Sequence, residues 1–198
     1  SEMCIRDRIN SERHQEKKII RKFLINRRKL LSGDYEKKNM SHVHLRPLLN
    51  NINSDYVGSY IDYNFELSTN SLNKYLIEKN INICLPKINS QSKEINFFKF
   101  STGTNLIKNK YNILEPEVTN EIIFPKLVLV PLLAFNESGF RLGYGGGFYD
   151  KYFSSQEEKD IIKVGLGFSF QKVNEIPIEN HDQKLDWILT ESYLYKAI

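Results

Sequence analysis

Cysteine is scarce in this chain, and the two present, Cys4 and Cys84, lie far apart with no Cys-x-x-Cys or Cys/His spacing around either. That excludes a zinc finger or a disulfide framework and suits a reducing compartment. Long apolar runs are also missing. Stretches such as 127–135 are much shorter than a bilayer span and carry Pro131, so no transmembrane helix is predicted. The first residues, SEMCIRDRIN, lack the apolar core of a secretory signal, and the chain is read as cytoplasmic. No internal repeat or low-complexity linker divides it. A length of 198 residues suits one well-buried α/β core and is too short for two ordinary enzyme domains.

Positive charge is concentrated at the front. Residues 1–46 hold 13 of the 28 Lys and Arg against 6 of the 24 Asp and Glu, so the remainder is slightly acidic. Such a segment suits a phosphorylated ligand, a nucleic acid, a membrane surface or a solvated helix face. Basic residues interleaved with aromatics, or an RNP-type run, would signal RNA binding, and neither occurs. No nucleic-acid or membrane partner is expected, and a monomer is.

Residues 1–15 show no convincing period and are read as a non-native or disordered leader, SEMCIRDR resembling a translated adapter remnant. The domain is assigned to 16–198. From Glu16 to Leu31, apolar Ile20, Phe23, Leu24 and Leu31 recur at helical spacing among Lys and Arg, with Gly33 as a stop. The pattern predicts an amphipathic helix with that apolar set inward. A second helix, from near Ser32 or Asp34, is predicted to turn Met40, Val43, Leu48 and Leu49 inward and to be bent or interrupted at Pro47.

Further on, 56–61 reads as a strand, Ser68 or Thr69 as the cap of a helix reaching about Lys79, and 81–85 as a second strand. This βαβ order predicts a mainly parallel sheet covered by helices on both faces. Residues 95–100 read as an accessory strand. The short apolar run 127–130 has the character of a buried, central parallel strand. A turn at 136–139, a glycine cluster, a helix holding Phe148, Tyr152 and Phe153, and strands at 163–168 and 187–190 complete the reading.

The segment Arg141-Leu-Gly-Tyr-Gly-Gly-Gly-Phe-Tyr-Asp150 is the most informative. Its glycines permit positive φ and close approach of the backbone to a ligand, so consecutive amides can meet phosphate oxygens. A tight structural turn would use the same glycines. Asp150, three residues after Gly147, falls on the first turn of the following helix, where its carboxylate suits either a magnesium ion or the helix dipole. Lys17 and Arg21, at i and i+4, project from one helix face.

With Val130-Pro131-Leu-Leu-Ala-Phe135 and Gly139 before it, this segment closely resembles the signature of the 5-formyltetrahydrofolate cyclo-ligases, also called methenyltetrahydrofolate synthetases. Lys17 to Arg21 is similar to that family's Lys-x-x-x-Arg, Leu85-Pro86-Lys87 to its Pro-basic element, and Ile113-Leu-Glu-Pro116 to its Glu-Pro turn. His181-Asp182, Leu185-Asp186 and Thr190-Glu191 are similar to its C-terminal box. The resemblance implies an α/β fold like the NagB/RpiA/CoA-transferase group. It also implies ATP-dependent cyclisation of 5-formyltetrahydrofolate to the 5,10-methenyl form, with ATP as co-substrate and Mg2+ as cofactor. It assigns ATP to Lys17, Lys18, Ile19, Ile20 and Arg21 and to the loop Arg141, Leu142, Gly143, Tyr144, Gly145, Gly146, Gly147, Phe148 and Tyr149. It assigns the folate to Ile61, Glu66 and Tyr144 through Phe148, and magnesium to Asp150 and Asp186. Tyr144 stands where the family often has Arg, and Phe148 where it often has Tyr. His181 is read as structural. The competing readings are a nonenzymatic nucleotide- or RNA-associated module on the same fold and a sugar-phosphate isomerase or CoA-transferase-like enzyme.

Overall fold

A computed structural model of the chain describes residues 2–36, 42–50, 56–89, 91–117, 121–156 and 160–198. Its α-helices are α1 (Glu2–Glu36), α2 (Arg46–Asn50), α3 (Asn70–Glu78) and α4 (Phe148–Ser154). The strands are β1 (Tyr56–Gly58), β2 (Asn82–Asn89), β3 (Glu94–Phe100), β4 (Leu106–Lys108), β5 (Leu114–Pro116) and β6 (Ile122–Ile123), then β7 (Leu127–Pro131), β8 (Ala134–Phe135), β9 (Arg141–Leu142), β10 (Ile162–Leu166), β11 (Trp187–Leu189) and β12 (Leu194–Lys196).

Eight strands form one sheet in the order β12-β11-β10-β7-β1-β2-β3-β6. Its centre is parallel: β1 pairs with β2 and β7, and β10 with β7 and β11. Antiparallel β12, β3 and β6 finish the two sides. As its apolar run predicts, β7 is central. Its alternation explains why every residue there is hydrophobic. Leu127 and Leu129 join the cluster containing Leu72 and Leu76 of α3, whereas Val128 and Val130 join the one containing Tyr152 and Phe153 of α4. Successive side chains of a strand point to opposite faces, so a strand with helices on both sides is apolar throughout.

Strand order reverses at β1, with β2 on one side and β7, β10 and β11 on the other. Such a switch opens a crevice beyond the carboxyl ends of the strands. Helix α1 packs near that end through Leu24, which clusters with Leu133, Ala134, Leu142 and Ile176 just after β7 and around β9.

Two helix expectations need correction. The helix predicted over 16–31 has continuous helical backbone from Glu2 to Glu36, through most of the stretch read as a leader and past Gly33. Gly33 is exposed, and no atom of the described residues lies within contact of an added Cβ. It therefore meets no tertiary demand for a left-handed stop, and its intrinsic helix penalty of about 1 kcal/mol is absorbed. The second helix does not start at Ser32 or Asp34, where α1 still runs; the described residues after it form a short 3-10 turn, His42–Leu45, and α2. Pro47 stands in the first turn of α2, where its missing N–H has no helical partner to lose. Leu48 is buried and Leu49 packs against the core as expected, while Met40 and the side chain of Val43 lie outside what is described.

Candidate active site

The glycine segment is delivered by a hairpin. In the turn joining β8 to β9 the Asn136 N–H donates to the Phe140 carbonyl at 3.0 Å, and its Oδ1 accepts the Phe140 N–H at 2.9 Å. Strand β9 then buries Arg141, whose Nη1 donates to the Gln183 carbonyl at 2.8 Å and whose Nη2 donates to Asp150 Oδ1 at 2.8 Å. The Gln183 N–H donates to the same Oδ1 at 2.9 Å. Arg141 and Asp150 thus close the loop at its two ends, and Asp150 lies in the first turn of α4, as its spacing predicts.

Inside the loop two glycines answer to close approach. Gly145 has φ +96°, and an added Cβ would lie 3.1 Å from Arg21 Cζ; at Gly146 it would lie 2.4 Å from the Phe148 ring. The Phe148 ring in turn meets Tyr111 edge-on, with centroids 6.0 Å apart. Arg21 donates from Nε to the Gly143 carbonyl at 2.9 Å, so a cation from the first helix sits on a loop more than a hundred residues later. Burial lowers the pKa of Arg21, while Glu179 and Asp182 act to raise it.

The inward face of α1 is only in part the apolar one expected. Of the set expected inward, Leu24 is buried, but Phe23 is 65% exposed; Lys17 and Arg28 are instead 2% and 1% exposed, and Ser32 is buried with them. The buried set, 17, 24, 28 and 32 with Arg21 half-buried between, keeps helical spacing. It faces inward because acceptors await each cation. Lys17 Nζ meets Glu179 at 2.7 Å and Asp182 at 2.6 Å. Arg28 donates to the Leu132 carbonyl at 3.2 Å, to the Asn64 carbonyl at 2.8 Å and to the Tyr144 hydroxyl, and its guanidinium lies 5.3 Å from the centre of the Tyr144 ring. Lys18 and Ile19 point outward, and Ile20 packs beside Leu24.

After β1 the chain makes an unusual turn in which Asn64 (φ +49°) and Phe65 (φ +62°) are both left-handed. For a phenylalanine this conformation is strained. The turn buries Glu66, whose Oε2 accepts the Tyr63 N–H at 2.9 Å. Burial raises the Glu66 pKa to about 7, against the opposing pull of Arg28 and the Tyr63 N–H and with a further push from Asp62. The Tyr144 and Tyr149 hydroxyls are also raised, first by burial and next by the Glu66 charge. Segment 62–66, the glycine loop and α1 therefore converge. Ile61, immediately before that segment, lines a groove with Asn73, Lys74, Ile77 and Phe100.

Asp186 sits just before β11, where its Oδ2 accepts the Lys163 N–H at 2.7 Å. Asp150 and Asp186 have separate partners, and each has one carboxylate oxygen for which no protein donor is found among the described residues. Hard oxygen donors suit magnesium, which takes one or two carboxylates beside water and phosphate. The carboxylates of Glu179 and Asp182 and the imidazole of His181 also come within 4.8 Å of one another, but Lys17 already occupies that acidic pair.

The Pro-basic and Glu-Pro elements hold each other. Lys87 Nζ donates to the Pro116 and Glu117 carbonyls at 2.9 and 3.1 Å, and Glu115 accepts the Ile88 N–H at 3.2 Å. Sequence reasoning does not reach Arg28 or Glu179, and it reads Asp182 only as part of the C-terminal box, not as a partner of Lys17. The usable signal for Arg28 was its position seven residues, two helical turns, after Arg21.

The chain matches the model of the 5-formyltetrahydrofolate cyclo-ligase family over residues 13–191. It is 33% identical over 138 residues to the 5-formyltetrahydrofolate cyclo-ligase of Haemophilus influenzae, covering 67% of this chain and 74% of that one. With the Escherichia coli K12 protein of the same name it shares 28% identity over 145 residues, 71% of this chain and 80% of that one. The solved structure of Aquifex aeolicus 5,10-methenyltetrahydrofolate synthetase superposes with a TM-score of 0.71 at 25% identity, covering 91% of this chain and 92% of that one. The Mycoplasma pneumoniae synthetase gives a TM-score of 0.65 at 24% identity, over 88% and 98%.

Proposed function

The chain belongs to the 5-formyltetrahydrofolate cyclo-ligase family, and from that premise we propose that it converts 5-formyltetrahydrofolate and ATP into 5,10-methenyltetrahydrofolate, ADP and phosphate. The observation that carries this reading is Arg21 held on Gly143 beside the positive-φ Gly145, which joins the basic helix to the glycine loop in one anion-binding surface.

The chemistry asks the protein mainly to position and neutralise. A formyl oxygen on an amide-like nitrogen is a poor leaving group. In the proposed sequence it attacks the γ-phosphorus, the bond to ADP breaks, and the oxygen becomes a phosphate ester. N10 then adds to the formyl carbon, loses its proton, and the C–O bond breaks with release of phosphate. Arg21 and the loop amides grip the polyphosphate, while Lys17, neutralised by Glu179 and Asp182, anchors the helix that carries Arg21. Arg141 keeps the loop closed on Asp150. Glu66 is the buried group available to a polar edge of the folate, and Phe148 with Tyr111 offers it an aromatic wall. Asp150 and Asp186 would hold Mg2+, which when bound supplies charge neutralisation to the phosphates. Ile61, at the edge of the 62–66 segment, is a further folate contact in this reading. A cytoplasmic monomer acting on small molecules, with no nucleic-acid partner, completes the proposal; no helix among the described residues is long and apolar enough to cross a membrane.

The test is direct. Purified protein given Mg-ATP and 5-formyltetrahydrofolate should develop the near-ultraviolet absorbance of the methenyl product with stoichiometric ADP. Folded protein that produces neither would overturn the reading.

A further inference from the structure

We infer that Arg28 is a positioning residue of this site: from α1 it ties the glycine loop, through Tyr144, to the strained Asn64–Phe65 turn and so fixes Glu66 where substrate meets it. The inference rests on the catalytic reading above but makes claims of its own about the free protein.

Three elements meet at this guanidinium: the Leu132 carbonyl just past β7, the Asn64 carbonyl after β1, and the Tyr144 hydroxyl in the glycine loop. All three acceptors are neutral, and among the described residues the buried Nε has no hydrogen-bond partner. A fully buried cation with no carboxylate among the described residues bonded to it is a poor stabilising device, and an apolar side chain of similar volume would ordinarily serve the fold as well. What an apolar side chain cannot do is hold a left-handed turn by its carbonyl. Nor can it act electrostatically on Glu66.

The groups around Glu66 are few. Arg28 of α1 favours its ionised form, and the Tyr63 N–H does so by hydrogen bonding; Asp62, on the same segment, opposes. Tyr60, Tyr144 of the loop and Tyr149 of α4 lie within the reach of the Glu66 charge, and burial raises all three hydroxyls still further from ionisation. Arg28 is thus the cation that counters burial of this carboxyl. It also links the wall that carries Glu66 to the loop that grips phosphate, so the two halves of the site keep their spacing.

The experiment compares wild type, Arg28→Met and Arg28→Lys in two ways. In the free proteins, the Glu66 carboxyl is titrated by 13C NMR, its signal assigned by loss in Glu66→Gln. In turnover with Mg-ATP and 5-formyltetrahydrofolate, KM for each substrate is measured. Arg28→Met should move the Glu66 midpoint upward by about half a pH unit or more and raise the folate KM about tenfold, with a smaller change for ATP. Arg28→Lys, which keeps the charge without the fork, should leave the midpoint near that of wild type and still raise the folate KM. If Arg28→Met does not fold, the Arg28→Lys folate KM decides. A midpoint and folate KM both unmoved in whichever variant folds would overturn the inference. A midpoint that moves in a family of proteins that never form product would reject the catalytic reading and leave the coupling between Arg28 and Glu66 standing.

Discussion

Arg141 and Asp150 meet at 2.8 Å across the ends of the glycine loop, and the same Asp150 oxygen accepts the Gln183 N–H. The carboxylate therefore has a structural duty on Oδ1 and, in the proposed function, a metal-binding one on Oδ2. An asparagine side chain can keep the first through its carbonyl oxygen while losing the charge needed for the second.

Asp150→Asn should accordingly leave a folded protein, destabilised by about 1–3 kcal/mol through the weakened bond to Arg141, with turnover that needs much more magnesium. Magnesium titrations of initial rate, run beside urea unfolding curves, separate the two effects. An unchanged magnesium requirement would count against the metal role of Asp150.

Gly145→Ala acts on the other half of the site. Its backbone has φ +96°, and the new methyl would crowd the Arg21 guanidinium. A left-handed alanine costs about 1–2 kcal/mol, which is a factor of roughly ten in an equilibrium. The expected result is an ATP KM raised about tenfold with the folate KM changed less. Equal changes in both would mean that Gly145 shapes the whole pocket and not the phosphate side.

Much of this was legible in the sequence, and the parts that were not share a cause. The unit β1-α3-β2, the central β7 and the glycine turn all declare themselves through local patterns: periodicity, a short apolar run, a cluster of residues tolerant of positive φ; the expected side-chain cap of α3 is not made at Thr69, whose hydroxyl donates instead to the Tyr60 carbonyl. Helix α1 did not. Apolar periodicity assigned Phe23 inward, but its exposed position follows from the partners of Lys17 and Arg28, which are supplied by Glu179, Asp182, Leu132 and Asn64. No local window contains both a cation and its distant acceptor. The short hairpins β4-β5 and β8-β9 were missed because strands of two or three residues carry too little alternation to register.

Lys17→Met tests that buried face. It leaves Glu179 and Asp182, both largely buried, without their shared cation, and removal of one member of a buried ion pair costs about 3–5 kcal/mol. Urea unfolding should show a loss of that order. In Lys17→Met/Asp182→Asn, the second change relieves one of the stranded charges, so the double variant should recover about 1 kcal/mol or more relative to strict additivity. Additive losses would place Lys17 outside the acidic pair in solution.

Glu66 gives a prediction whose sign is opposite to that of an ordinary carboxylate. Its ordinary value is 4.5, and burial raises it to about 7 in the folded chain. Between those two values the unfolded chain has released the proton and the folded chain still holds it, so folding becomes less favourable as pH rises. The stability associated with neutral Glu66 is fully present below 4.5 and is lost as pH climbs through 7. The size is on the order of 3 kcal/mol. Glu66→Gln keeps a neutral polar side chain at every pH and cannot titrate. Across this window its unfolding free energy should therefore stay flat where the wild-type value declines, and above pH 7 the variant should be the more stable protein. The same variant should turn over poorly, because the charge that burdens the fold is the one offered to the folate. Parallel pH-stability curves for the two proteins would mean that Glu66 is solvated in the free protein, and that its burial between the turn and the glycine loop does not persist in solution.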